Sequence, residues 1–119
     1  MSETMSELID GEQIRVLADA AGKEMVTPIL DAFWQSNDEL MAQLDDAIVT
    51  GDADAAAKVA HALKGSASNL GANAVAETSK RIEHAAKAND LETARGAAAD
   101  LPAQIAGSKV AFDALIATV

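Results

Sequence analysis

One stretch of this chain combines residue types that could do chemistry: Ala60-His61-Ala62-Leu63-Lys64-Gly65-Ser66-Ala67-Ser68-Asn69-Leu70-Gly71-Ala72. Histidine has an ordinary pKa of about 6.5, so near neutral pH much of its imidazole is uncharged and nucleophilic. At about 100° per residue of an α-helix, His61 shares a face with Asp54, Gly65 and Ser68, and Lys58 and Lys64 flank it. Leu63, Ala56 and Leu70 fall nearly opposite. The wheel therefore aims the imidazole at solvent and the leucines at a core. An exposed imidazole, an ammonium group one turn on and a residue without a side chain suit a place where a large partner docks with its phosphoryl group.

Each of these residues also has a plainer reading. A lone surface histidine is usually inert, a lone lysine is usually just solvated, and a helical glycine can serve helix packing. Gly65 argues against the plain reading, because glycine inside a helix costs about 1 kcal/mol relative to alanine. It also lies on the outer face, where its role is expected to be partner access. Ser68, two turns along the face of His61, is a weaker candidate for bonding a phosphoryl oxygen, and Ser66 points elsewhere. His84 lacks the lysine–glycine context and reads as a surface residue. No His-x-x-x-His or Glu-x-x-His spacing on one helix builds a metal site, and no Gly-x-x-x-x-Gly-Lys loop suggests a nucleotide. The chain is thus expected to hold no metal or cofactor of its own and not to phosphorylate itself from ATP.

The elements that must position these residues read as helices throughout. Alanine, the best helix former, occurs 28 times against three aromatic residues and two prolines, and no alternating strand pattern is evident. Residues 1–6 form a polar leader expected to fray. A first short helix is expected from Asp10, capped in the manner of a capping box with Gln13, to Ala21, with Gly22 as its stop. The second carries Met25, Ile29, Phe33, Leu40, Leu44 and Ile48 and ends near Thr50. It starts either at Thr27-Pro28 or near Lys23. The third begins at Asp52 or Ala53, carries the motif, turns Ala56, Val59, Ala60, Leu63, Ala67 and Leu70 inward and stops at Gly71. The fourth runs from about Asn73 to Ala88 with Val75, Ser79, Ile82 and Ala86 inward, and Asn89-Asp90 is a turn. The last shows Leu91, Ala94, Ala98, Leu101, Ile105, Ser108, Phe112, Leu115 and Val119. Pro102 falls inside it, at a cost of ~3 kcal/mol for an interior turn. Because the stripe keeps its phase there, a kink or two nearly coaxial pieces are expected. Four long amphipathic segments and short turns predict an all-α, antiparallel up-down four-helix bundle, with the additional short N-terminal helix as a lid over one end.

The order His-x-Leu-Lys-Gly-Ser, a short spacer and Leu-Gly-Ala (here His61, Leu63-Lys64-Gly65-Ser66 and Leu70-Gly71-Ala72) resembles the signature of the histidine-containing phosphotransfer (HPt) family. The likeness covers most of the chain, from the long segment before the motif and the Gly51-Asp52 turn to the Arg81-Ile82-Glu83 element and the final helix. It implies the same bundle. It also implies that His61 is the phosphoacceptor, passing a phosphoryl group between aspartates of receiver domains in response regulators or hybrid histidine kinases. Lys64 matches the family lysine that stabilises phosphoryl charge, and the partner receiver would supply magnesium. The family architecture further suggests that Glu83 and Lys80 approach His61 from the side.

Bulk properties narrow the alternatives. A length of 119 residues suits one domain, here spanning 1–119. The absence of cysteine excludes disulfides and thiolate metal sites. No apolar run nears the roughly 20 residues a membrane span requires, and no basic-then-apolar start suggests a secretory signal, so a cytoplasmic protein is expected. A net charge of −10 argues against nucleic acid as a partner. That charge is uneven: residues 1–57 hold thirteen acids and two bases, whereas 58–119 hold six acids and seven bases. His61 lies where the chain is least negative, which suits a group that must receive an anion. The apolar stripes are just enough to fill one bundle, so a monomer is expected. The competing reading is a helical adaptor or dimerisation module that binds a partner without chemistry.

Overall fold

The computed structural model describes residues 8–118, all of whose regular elements are helical. The leader at 1–6 and Val119 lie outside the described residues. From Glu12 on, six helices follow one another among the described residues: α1 (Glu12–Ala21), α2 (Lys23–Thr50), α3 (Ala53–Leu70), α4 (Asn73–Lys87), α5 (Leu91–Ala98) and α6 (Leu101–Ile116). Helices α2, α3 and α4, with α5 and α6 as a divided fourth member, form the antiparallel bundle, and α1 is the short additional helix. With 28 residues at 1.5 Å each, α2 spans about 42 Å, close to the longest dimension of the molecule, 43 Å.

Three short connections set the topology, and each is a Schellman closure followed by a new helix. After α2, Gly51 takes a left-handed backbone (φ 78°) and Asp52 N–H donates to the Ala47 carbonyl at 2.8 Å. After α3, Gly71 does the same (φ 80°) and Ala72 N–H donates to the Ala67 carbonyl at 2.9 Å. After α4, Asn89 adopts φ 60° and Asp90 N–H reaches the Ala85 carbonyl at 2.8 Å. Asp52 and Asp90 then cap the next helices by accepting from Ala55 N–H at 3.0 Å and Thr93 N–H at 3.1 Å. The Gly-Asp and Asn-Asp pairs of the sequence are thus stop-and-start signals.

Gly71 has a second duty. Its carbonyl accepts from Asp10 N–H at 2.7 Å, so the start of α1 is stitched to the α3–α4 turn. This tie holds Asp10 outside the helix. The cap expected at Asp10 is therefore not formed: α1 begins at Glu12 with Gly11 at the cap position, and Asp10 Oδ1 accepts only from Glu12 N–H at 3.1 Å. Ile14, fully buried, seats α1 against the bundle.

The buried stripes follow the expected ones in α3, α4 and the last segment, with Val59, Leu70, Leu91 and Ala98 only half-buried, but differ more in α2. There Val26, Leu30, Phe33, Asn37, Leu44, Ala47 and Ile48 are buried, while Met25 is exposed and Ile29 only half-buried. Steps of four alone drift by 40° each; alternating fours and threes through Val26, Leu30, Phe33 and Asn37 hold one line along so long a helix. Of the two starts considered, α2 takes the earlier one, at Lys23, with Pro28 inside it. The last segment divides into two helices linked by Ala99 and Asp100, both with right-handed helical torsions. Pro102 then falls in the first turn of α6, where its missing N–H has no helical partner to lose, and the expected interior cost does not arise. Leu101, Ile105, Ser108, Phe112 and Leu115 all point into the core. No helix among the described residues is long and apolar enough to cross a membrane.

Candidate functional site

Helices α3 and α4 make the most extensive helix–helix contact in the molecule. The reason is compositional: Ala56, Ala57, Ala60 and Ala67 from α3 and Ala74, Ala85 and Ala86 from α4 are all buried. Small side chains bring two helices close, so a residue on α4 can reach the outer face of α3. Leu63, fully buried, fixes the rotation of α3 about its axis. His61, two positions earlier, is thereby turned outward, with its side chain 67% exposed.

One carboxylate organises what stands around that ring. Glu83 of α4 is nine-tenths buried or more, its side chain only 4% exposed, yet it bonds three charged or chargeable groups. Its Oε2 lies 3.0 Å from His61 Nδ1 and accepts from Lys87 Nζ, also at 3.0 Å; its Oε1 accepts from Lys64 Nζ at 2.9 Å. The Lys64 ammonium, above all, holds the Glu83 carboxyl down at about 2, with the bonds from Lys87 and His61 acting in the same direction and burial opposing them. Glu83 is therefore an anion at neutral pH and can only accept hydrogen bonds. It follows that Nδ1 carries the ring proton, and that in the neutral imidazole the free lone pair is on Nε2.

The same bonds contribute to stability, and the sign is definite. A carboxyl whose folded pKa lies below its unfolded value stabilises the fold above the unfolded pKa, and that contribution is lost as pH falls through the folded one. For Glu83 this window runs from about 4.5 down to about 2. Urea denaturation at pH 5 and pH 2.5 should show the native chain losing more stability than Glu83→Gln over the same interval. Equal losses would remove this role from the carboxylate.

The remaining candidates are placed as follows. Gly65 is exposed, and a β-carbon built there meets no atom of the chain within 4 Å. Nothing internal requires a glycine at this position. Ser68 is exposed further along the face and has no hydrogen bond to the ring among the described residues. It instead lines a neighbouring cleft of about 650 Å³ with Lys64, Lys80 and Arg81. Lys80 thus borders the site without bonding His61, whereas Glu83 bonds it directly. The groove around the ring itself, about 430 Å³, is lined by Asp54, Ala57, Lys58, His61, Glu83 and Lys87. Lys58 is paired with Asp54 at 3.1 Å. His84 is exposed and takes no part in the groove. Among the described residues no group of three or more His, Asp or Glu could hold a metal ion.

Sequence reasoning gave no site role to Lys87. The signal for Glu83 was present on the wheel, since Val75, Ser79 and Glu83 are spaced by four and place Glu83 at the edge of the inward stripe. Lys87 follows Glu83 by one helical turn, the spacing at which opposite charges on a helix meet.

With this geometry in view, the comparisons are specific. The model of the Hpt domain matches residues 28–117, which takes in the bundle from Pro28, inside α2, to the end of α6 and every residue of the groove. Neither the curated proteins nor the solved structures searched gave a match. The chain belongs to the Hpt domain family, the phosphoryl carriers of phosphorelays, which interact there with receiver domains.

Proposed function

We propose that this chain is a relay carrier in which His61 Nε2 takes a phosphoryl group from an aspartyl phosphate on one receiver domain and yields it to the aspartate of another. The observation that carries this reading is the histidine itself: its side chain is two-thirds exposed while Nδ1 is tied down, leaving Nε2 as the nitrogen free to attack. In the forward step the Nε2 lone pair forms the N–P bond as the P–O bond of the acyl phosphate breaks, and its electron pair leaves on the carboxylate. Phosphoryl transfer passes through a loose transition state with charge on the equatorial oxygens, so positioning and nearby cations dominate the catalysis. Lys64 is the cation in place on the same helix. The open surface at Gly65 gives a partner's aspartate close access, and magnesium comes with that partner. Ser68 is the weakest member of the set.

Purified protein mixed with a phosphorylated receiver domain should acquire label that survives alkali and is lost in acid, as expected of a phosphoramidate. Acid-stable label, or none from any receiver tested, would count against the reading. Lys64→Ala should slow transfer by about tenfold or more, the scale of removing one charge-stabilising group from a partly solvated site. Its helicity should be unchanged, because Lys64 is a third exposed and Glu83 keeps Lys87. An unaltered rate would take the assigned role from Lys64.

A further inference from the structure

Charge on this bundle is sorted by wall. Helix α2 carries six acids, Glu24, Asp31, Asp38, Glu39, Asp45 and Asp46, all exposed, against the single base Lys23. Helices α3 and α4 together carry five bases against three acids, in a chain whose net charge is −10. Two of those acids are already paired, Asp54 with Lys58 and Glu83 with Lys64 and Lys87. What is left over is Lys80, Arg81 and Glu77. All three line the cleft of about 650 Å³ beside the ring groove, where Ser68 and Gln104 add neutral donors. Lys80 and Glu77 are exposed and have no ion-pair partner among the described residues. Arg81 is held loosely, 3.8 Å from Asp100, with Nη2 donating to the Thr78 hydroxyl at 3.0 Å.

Resting on the carrier reading above, we propose that this cleft is the docking seat for an acidic segment of the partner protein. Lys80 and Arg81 draw its carboxylates in, and Glu77 sets how acidic a segment the seat accepts. Charge complementarity is one ground: two unspent cations face a single acid on a molecule that is otherwise strongly negative. Continuity is the other. Lys64 lines the cleft while its ammonium bonds Glu83, the residue that also bonds His61, so one surface runs from the ring to the seat. The acids of α2 complete the device by repulsion. Helix α2 packs on α3 and not extensively on α4, so its wall lies away from the cleft. An acidic partner is thus repelled by one wall and drawn to the other, which raises the share of encounters that present it to His61. An extended nucleic-acid backbone gains no such selection and meets the full charge of −10. Lys80 and Glu77 touch no reacting atom, and their effect falls on association.

The two exposed side chains have opposite expected effects, which a merely structural role would not produce. Full-length ¹⁵N-labelled protein is titrated at low salt with a hexaglutamate peptide capped at both ends, and amide shifts are followed by NMR. Shifts should centre on Ser68 and on Glu77 to Arg81, leave Asp38 to Asp46 unmoved, and shrink as salt is added. Lys80→Glu should weaken the peptide about fivefold, the scale of an exposed ion pair, and Glu77→Gln should tighten it about twofold. With a phosphorylated receiver domain, Lys80→Glu should raise KM and leave the single-turnover rate at saturating receiver unchanged. Labelling of His61 by phosphoramidate, a small donor that needs no receiver, should not change in either variant. Shifts scattered over the surface would overturn the proposal, as would both variants moving affinity in one direction. So would inorganic phosphate that, at matched charge, binds the cleft as well as the peptide does, since the seat would then hold simple anions. Because the peptide titration involves no transfer, a chain that binds it here yet exchanges with no receiver keeps the acidic-segment seat and loses the carrier role. A chain that exchanges with receivers while the peptide binds elsewhere keeps the role and loses the seat.

Discussion

Replacing His61 with glutamine is expected to abolish phosphoryl labelling completely and to leave the fold untouched. The amide nitrogen of glutamine is not a nucleophile, and the structure offers no substitute at the site: His84 stands outside the groove. The fold should tolerate the change because most of the His61 side chain already faces water, and the Glu83 carboxylate keeps two of its three partners, Lys64 and Lys87. Surface substitutions of this kind usually alter stability by no more than about 0.5 kcal/mol. Circular dichroism and the urea midpoint should thus coincide with those of the native chain while label from a phosphorylated receiver disappears. Label of undiminished yield on the variant would place the acceptor elsewhere. A variant that lost helicity in step with label would be no evidence at all, so both readouts belong in one experiment, and Lys87→Met, which keeps the acceptor, is the labelled control.

The largest effect on stability is expected at Gly71. A left-handed backbone costs an L-residue about 1–2 kcal/mol, and that cost alone should apply to Gly51→Ala, where an added β-carbon has nothing within 4 Å. At Gly71 a β-carbon would also collide with the Asp10 carbonyl oxygen and crowd the Gln13 side chain. Relief requires the start of α1 to lift away, taking with it the Asp10 to Gly71 hydrogen bond and the seat of Ile14. Gly71→Ala should therefore cost roughly 3 kcal/mol or more, adding a typical overpacking penalty to the backbone term, and lower the melting temperature by about 10 °C. The comparison of the two alanines isolates the contribution of α1. If they prove equally destabilised, the contact between α1 and the α3–α4 turn contributes nothing, and the lid is loose.

Much of this was legible before any coordinates, because the governing physics is local. Helix ends were marked by Gly22, Gly51, Gly71 and Asn89-Asp90, each tied to a backbone conformation that few residues adopt. The outward face of α3 followed from leucine and alanine spacing, which put His61 and Gly65 outside and Leu63 inside, as found. What could not be read was whatever depends on two distant segments meeting. Asp10 has the composition of a cap, but its backbone is claimed by Gly71, sixty-one positions away. Asn37 is polar and was passed over, yet the long straight line of α2 buries it to 2% exposure. Pro102 looked disruptive only while the last segment was counted as one helix. The site shows the same division. His61, Lys64 and Gly65 lie within five residues and announce themselves by spacing. The bond between His61 and Glu83 depends on how closely an alanine-rich seam lets α3 and α4 approach, and no spacing rule along one helix reports that.

The matched closures at Gly51 and Gly71 have a mechanical consequence. The helix that bears His61 is pinned at both ends by left-handed glycines, with two residues between its last helical residue and Asn73, and two between Thr50 and Ala53. Connections this short leave α3 little room to shift along its axis relative to α2 and α4. On the carrier reading proposed above, the adjustment of distance and angle at His61 would fall to the incoming protein.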